Sequence, residues 1–206
     1  MVSSLMVKLS QIASINPGYP FRGKIEESGD GSIVAVQMKD VSLTTGVIWS
    51  GCTPTTLIGK RHPQLLGNGD ILVAARGNRN YAVEVTKDKL APGVEAVAAP
   101  HFFVVTLKTG RVIPPFLAWL LNQNPSQRYF EKNAEGTLTK SIRRSVLENT
   151  PLAFPDKPRQ KAIMELVHTM QQEQQLMEQL QRNNQSLMNA IASDILRPSI
   201  QAKKVH

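Results

Sequence analysis

The chain has 206 residues, 41% of them apolar and 19% charged; this is the size and balance of one ordinary globular domain with some chain left over, and it excludes wholesale disorder. Its one cysteine, Cys52, excludes an internal disulfide framework and any CxxC metal site. Lys and Arg number 24 against 16 Asp and Glu, a net charge of +8 with a pI near 9.8, and such an excess points to nucleic acid as a partner or to a lysine-rich solvated surface, with equal weight on charge alone.

From the N-terminus, Leu5, Leu9 and Ile12 give a short helical face, followed by the loop Asn16-Pro17-Gly18. Residues 32–38 (SIVAVQM), 71–75 (ILVAA), 81–86 (YAVEVT) and 101–107 (HFFVVTL) are predicted strands, each rich in Val, Ile or Phe and bounded by Gly, Pro or Asp. Gly77-Asn78-Arg79-Asn80 forms the turn between two of them, because Gly and Asn tolerate positive φ. Pro114-Pro115 opens a helix through FLAWLLNQ, with proline in the tolerated first turn. Asn124-Pro125-Ser126 breaks it, and a second helix follows through Gln127-Arg128-Tyr129-Phe130. Gly136-Thr137-Leu138-Thr139 reads as a loop, after which Ser141 caps a short helix, IRRSVLEN. The fold class is therefore α+β, a mixed globular domain of short strands and helices over residues 1–155, followed by one long coiled-coil helix and tail over residues 156–206.

That C-terminal segment is the most periodic part. Between Pro158 and Pro198 there is neither Pro nor Gly. With Ile163 at heptad position a, the a positions are Ile163, Met170, Met177, Asn184 and Ile191, and the d positions are Leu166, Glu173, Leu180, Leu187 and Asp194. Seven of these ten are apolar, and Val167, Met188 and Ile195 widen the stripe, a pattern of a coiled-coil seam. From Arg159 to Leu196 such a helix spans roughly 57 Å, too long to bury its seam against its own small domain. A partner helix is expected, from another copy or another protein. Asn184 is either a register-setting polar residue or a chance polar position. Glu173 and Asp194 at d positions suit antiparallel pairing better than a symmetric parallel pair.

No enzyme signature emerges. His62, His101, His168 and His206 have no second ligand at a spacing such as HExxH. Cys52 has no basic partner in sequence. There is no GxxxxGK[ST] loop, no GxGxxG after a strand and no methyltransferase or nuclease signature. Phe116 to Leu121, the longest apolar run, has six residues, far short of the ~20 of a membrane span. The opening MVSSLMVKLSQ meets Lys8 and Ser10 before any apolar region, unlike a secretory signal. A cytoplasmic binding component without membrane attachment is expected.

Two basic clusters stand out, Arg76-Gly77-Asn78-Arg79-Asn80 in a turn and Thr137-Leu138-Thr139-Lys140-Ser141-Ile142-Arg143-Arg144 running into a helix, with Lys60 and Arg61 as a third basic loop and Lys39 as a further candidate contact. Arginine can fork onto guanine O6 and N7, asparagine onto adenine N6 and N7, and hydroxyls suit phosphate oxygens. Arg143 and Arg144 in a first helical turn oppose the helix dipole, a cost best understood if they face an anion. Any one cluster is also what ordinary solvated loop charge looks like; their joint presence favours DNA. Aromatic residues make up 5%, thin for stacking on single strands, so duplex DNA is the expected form.

Lys8-Leu9-Ser10-Gln11-Ile12-Ala13, then Gly18-Tyr19-Pro20-Phe21-Arg22-Gly23-Lys24-Ile25, Val36-Gln37-Met38-Lys39-Asp40-Val41, Gly69-Asp70-Ile71-Leu72-Val73-Ala74-Ala75-Arg76-Gly77, Gly136-Thr137 with Ile142, and Pro151-Leu152-Ala153-Phe154-Pro155 with Gln160 and Ile163 resemble, in this order, a target-recognition domain and long helix of the specificity subunits of type I restriction–modification systems. The resemblance covers nearly the whole chain, in a half-length form. It implies a non-catalytic subunit that reads double-stranded DNA and seats methyltransferase subunits, with a restriction motor–nuclease subunit as a further partner. S-adenosylmethionine, ATP and Mg would then sit on those partners and no cofactor on this chain. The family's full subunit has two domains and two antiparallel helices, so this chain is expected to work as an antiparallel homodimer through Ile163, Leu166, Met170, Met177, Leu180, Asn184, Leu187 and Ile191. A coiled-coil adaptor whose basic surface binds a protein or RNA is the alternative.

Overall fold

The computed structural model describes residues 6–21, 23–28, 32–57, 63–77, 79–136 and 139–196. In chain order the elements are β1 (Val7–Lys8), α1 (Leu9–Ile12), β2 (Ala13–Pro17), β3 (Ile33–Val36), β4 (Val41–Ser42), β5 (Gly46–Val47), β6 (Thr53–Thr55), β7 (Ile71–Ala74), β8 (Ala82–Glu84), β9 (Glu95–Ala98), β10 (Phe102–Leu107), α2 (Pro114–Leu121), α3 (Asn124–Asn133), α4 (Arg144–Glu148), β11 (Pro151–Leu152) and α5 (Lys157–Leu196). Short 3-10 turns occupy Met38–Asp40 and Trp49–Gly51.

Two small sheets carry the architecture. β2, β10, β7 and β8 pair in that order, all antiparallel. β6, β3 and β9 form the second sheet, with β3 parallel to β9. All four residues of β7 are buried, and strand geometry sends them alternately to opposite faces. Ile71 and Val73 join Phe116, Leu117, Phe130 and Leu147 in a core beneath the helices, while Leu72 and Ala74 join Val36, Ala96 and Ala98 against the second sheet. Val104 and Val105 of β10 divide in the same way. A strand covered on both faces reads as an unbroken apolar run rather than an alternating one, which is why residues 71–75 are recognisable as a strand. Asp70 fixes its start: the buried carboxylate accepts the Gly67 N–H at 2.8 Å and the Thr106 hydroxyl at 2.6 Å.

The four predicted strands, the helix opened by Pro114 and the long terminal helix are all present. Three local readings change. Asn16 and Pro17 end strand β2 rather than forming a loop; Pro17 is tolerated because β2 is the edge strand of its sheet. Asn124-Pro125 starts α3 as well as ending the preceding helix, with Pro in the first turn. Ser141 caps nothing: it exchanges backbone hydrogen bonds with Glu135, and α4 begins only at Arg144, with Arg143 at the N-cap and no side-chain cap.

α5 has 40 residues, about 60 Å of helix at ~1.5 Å per residue. Its first turns belong to the globular unit, which runs to Met164; the second unit is Glu165–His206. Ile163 and Met164 pack against the core beneath the helices. Ile163, half-buried, thus packs in part on its own domain. Gln160 is fully buried and saturated: it accepts the Ile113 N–H at 3.0 Å and donates to the carbonyls of Arg111 at 2.9 Å and Pro155 at 2.7 Å. None of the described helices is long and apolar enough to cross a membrane.

Replacing Gln160 by Leu keeps the volume but strands one N–H and two carbonyls in the interior. Gln160→Leu should lower unfolding stability by about 2–4 kcal/mol, read from the denaturant midpoint. An unchanged midpoint would show that these bonds do not fasten the helix base.

Candidate nucleic-acid interface

The connection from β7 to β8 is built by two kinds of residue. Asn80 turns inward: 6% exposed, it donates to the Ala74 carbonyl at 2.8 Å, and its own carbonyl accepts from Gln127 at 2.8 Å. This buried amide closes the turn by its bond to the Ala74 carbonyl. Arg79 is exposed but tethered, donating to the Asn122 carbonyl at 2.9 Å and to Gln127 Oε1 at 3.3 Å. Arg76 is exposed, and its side chain makes no ion pair or hydrogen bond with a described residue. Gly77 follows at φ +127°, a conformation an L side chain rarely adopts.

The second basic segment lies directly against the first. The Ile142 N–H donates to the Ala75 carbonyl at 2.9 Å and the Gly77 N–H to the Lys140 carbonyl at 3.2 Å, while Glu135 and Ser141 bridge the base of the loop. Gly136, at φ +99°, makes that loop possible; a Cβ there would sit 2.5 Å from the Thr139 carbonyl oxygen. Thr139 and Lys140 are exposed, and Lys140 has no partner among the described residues. Arg143 and Arg144 differ. Arg143 pairs with Glu135 at 2.8 Å and Arg144 with Glu148 at 2.8 Å. The carboxylates that answer these two cations are the protein's own, so their unusual position in a first helical turn needs no external anion.

Lys39 comes to the same place by a third route. The Met38 methyl lies 3.3 Å from where a Gly77 Cβ would project, and the turn holding Lys39 is fixed by buried Asp40, whose carboxylate accepts the Gln37 N–H at 2.9 Å. Lys39 is exposed. Beside it runs a groove of about 530 Å³ whose walls include Phe21, Lys24, Gln37, Met38, Lys39 and His101. His101 is tied to the first segment, its carbonyl accepting the Ala75 N–H at 2.8 Å. Lys24 and His101 were not singled out as contact residues by pattern; Lys24 lies inside the Gly-Tyr-Pro-Phe-Arg-Gly-Lys block, which is the signal that could have found it. Lys60, Arg61, Asn78 and Thr137 lie outside the described residues.

Beyond the globular unit, the α5 seam is wet. Leu166, Met170, Met177, Leu180, Leu187 and Ile191 are between 45% and 61% exposed, and Asn184 is exposed among them. Apolar side chains repeating along one face and left in water mark an interaction surface. Among the described residues the next longest helix, α3, has 10 residues.

The chain has the fold of type I restriction–modification S subunits. It matches the S subunit of such a system from M. genitalium with a TM-score of 0.57 and 15% identity over 97% of this chain and 48% of that one. It matches the HsdS subunit from Thermoanaerobacter tengcongensis with a TM-score of 0.57 and 17% identity over 98% and 52%. A chain from a structure concerned with complex assembly and conformational transition of the type I R-M system gives 0.68 and 15% over 99% and 52%. The chain thus spans about half the length of the solved structures it matches. No family model and no curated protein matches it.

Among the described residues no group of three His, Cys, Asp or Glu side chains could hold a metal ion. Cys52 is buried, its thiol donating toward the Ile48 carbonyl at 3.6 Å. Burial first, and the Asp40 carboxylate second, push its pKa up to about 12 against the smaller opposing pull of Lys39. The nucleophile is the thiolate, so this cysteine is inert at neutral pH. A thiol whose pKa is raised by folding stabilises the fold fully below its unfolded value near ~8.5 and loses that contribution as pH climbs toward the folded value. Iodoacetamide at about pH 8.5 should leave Cys52 unmodified in the native protein and alkylate it after denaturation. Rapid native alkylation would mean that the residue is accessible and activated.

Proposed function

We propose that the chain is the DNA sequence-recognition component of a type I restriction–modification system, with one target-recognition domain and one long helix and no catalytic site of its own. The observation that carries this reading is the coincidence of an S-subunit fold over nearly the whole chain with three exposed, unpaired cations, Lys39, Arg76 and Lys140, on three adjoining backbone segments. The fixed framework beneath them, Asn80, Asp40 and the Glu135–Ser141 bridge, holds the segments in register. Lysines in such an array neutralise phosphates and release counterions. Arg76 has the planar fork that can read a guanine edge, and Thr139 a hydroxyl for a phosphate oxygen. Lys60, Arg61, Asn78 and Thr137 are carried in this proposal as further DNA contacts on residue type alone.

In this reading the methyl transfer and any DNA cleavage belong to partner subunits, which bring S-adenosylmethionine, ATP and Mg. The exposed α5 seam takes a second helix, so that two recognition domains address the two halves of a split target. The protein works in the cytoplasm, where DNA and these partners meet.

Lys39→Ala, Arg76→Ala and Lys140→Ala should each weaken duplex binding by about 1 kcal/mol, roughly fivefold. Each should also reduce the slope of log affinity against log salt by about one. Arg144→Ala, whose charge is already answered by Glu148, should bind like the parent. Titration by fluorescence anisotropy over a range of salt checks this. Full affinity in all three variants would move the interface elsewhere, and salt-resistant binding to a protein or RNA with no duplex affinity would replace the reading by that of an adaptor.

A further inference from the structure

We propose that the groove walled by Phe21, Gln37 and His101 is a nucleotide pocket, which takes one nucleotide turned out of the DNA stack, its base inside and its phosphate on Lys24 and Lys39. The proposal rests on the DNA-recognition reading given above and adds to it a receptor for a single unpaired unit. The groove has a volume of about 530 Å³, in the range of pockets that enclose small molecules. Its concavity decides what can enter. A base pair within a duplex is read by elements that project into a groove of the DNA. A hollow cannot project, and so receives something that protrudes from the DNA.

The walls carry the chemistry of a base and of its phosphate. Phe21, Met38 and Pro100 supply apolar surface. The half-buried Phe21 ring is fixed against Tyr19, with centroids 4.9 Å apart and planes at 68°. An aromatic ring held in this way is a platform on which a base can stack. Gln37 supplies an oriented amide. Its N–H donates to the Asp40 carboxylate at 2.9 Å and its Nε2 to Thr53 Oγ1 at 2.9 Å, while its Oε1 accepts no bond from a described residue. The amide keeps an acceptor and a second N–H, the complement of the neighbouring donor and acceptor on the Watson–Crick edge of a base. That edge is open only in an unpaired nucleotide. Lys24 and Lys39 are exposed and have no partner among the described residues, which leaves both ammonium groups for a phosphate.

The frame around this groove is built in advance. The Tyr19 N–H donates to the Ala98 carbonyl at 2.7 Å, the Gly18 N–H to the Phe102 carbonyl at 2.9 Å and the Ala99 N–H to the Val36 carbonyl at 2.9 Å. These bonds tie together the three segments that form the walls. The groove also adjoins the Arg76 turn, through His101 and Met38, so DNA held by Arg76 and Lys140 lies within its reach. A neighbouring cavity of about 420 Å³ shares Phe21 and Lys24 but has Glu26 and Glu27 in its walls, carboxylates that repel a phosphate. The walls of the groove include no Asp or Glu among the described residues, and Asp40, next in the chain to Lys39, is buried.

Duplexes of arbitrary sequence with one unpaired adenosine nucleotide test the pocket, because turning a base out then costs least. In an anisotropy titration of the full chain, such a bulged duplex should bind about fivefold or more tighter than the same duplex with an abasic site in the bulge, the loss expected for one base on one aromatic ring. Phe21→Ala and Gln37→Ala should each shrink that difference, and Phe21→Trp, which keeps a stacking face, should retain it; denaturant midpoints identify any variant that has failed to fold. Equal affinity of the parent for base-bearing and abasic bulges overturns the pocket, as does a difference that survives in both folded alanine variants. Deoxyadenosine monophosphate, followed by saturation-transfer NMR, separates the two sources of a nucleotide: binding as tight as that of the bulged duplex would make the groove a small-molecule site and overturn its role on DNA. Binding to paired duplex with no preference for the base-bearing bulge overturns this proposal alone, whereas a parent chain that binds no duplex overturns the DNA-recognition reading and the pocket with it.

Discussion

The double burial of β7 and β10 is the constraint on which the globular unit depends. Ile71, Val73 and Val105 need the helices on one face, and Leu72, Ala74 and Val104 need the second sheet on the other. Neither layer can be removed without exposing a strand that has no polar face. The consequence for function lies at the strand ends. Because β7 cannot shift register without driving its side chains into the wrong core, the residues that leave it, Ala75 to Gly77, are delivered to a fixed point. The Lys140–Ile142 segment and the Met38 turn then dock against that point by backbone hydrogen bonds and a methyl contact.

Burial and partnership divide the basic residues more sharply than charge does. A net charge of +8 says only that cations are in excess. Arg143 and Arg144 look the most suggestive on paper, two arginines at a helix start, yet Glu135 and Glu148 answer them. Arg79 is spent tethering its turn to the start of α3 through Gln127 and Asn122. The cations left without a described partner include Lys39, Arg76 and Lys140, and those are the ones whose desolvation against a phosphate costs no existing bond. Exposed pairs such as Arg143–Glu135 are worth little to stability, so their role is to set the shape of the loop rather than to hold the fold.

What was legible in the sequence follows from how much of each element's burial its own residues declare. β7 and β10 are legible because continuous Val, Ile, Leu and Phe leave no other reading. β9 is not, because Glu95-Ala96-Val97-Ala98 carries small residues of low strand propensity. Its alanines are fully buried only because β3 runs parallel beside it, a long-range fact. β2 hides behind Pro17, which only an edge strand accepts. The helix α5 is legible from its period, but its base is not: the heptad pattern treats Ile163 like every other seam residue, whereas Gln160, a polar residue with no periodic signal, fastens that turn into the domain. In the same way Asn80 looks like a base reader by residue type and serves as a turn lock by position, and Lys24 and His101 reach the groove from segments remote from both basic clusters.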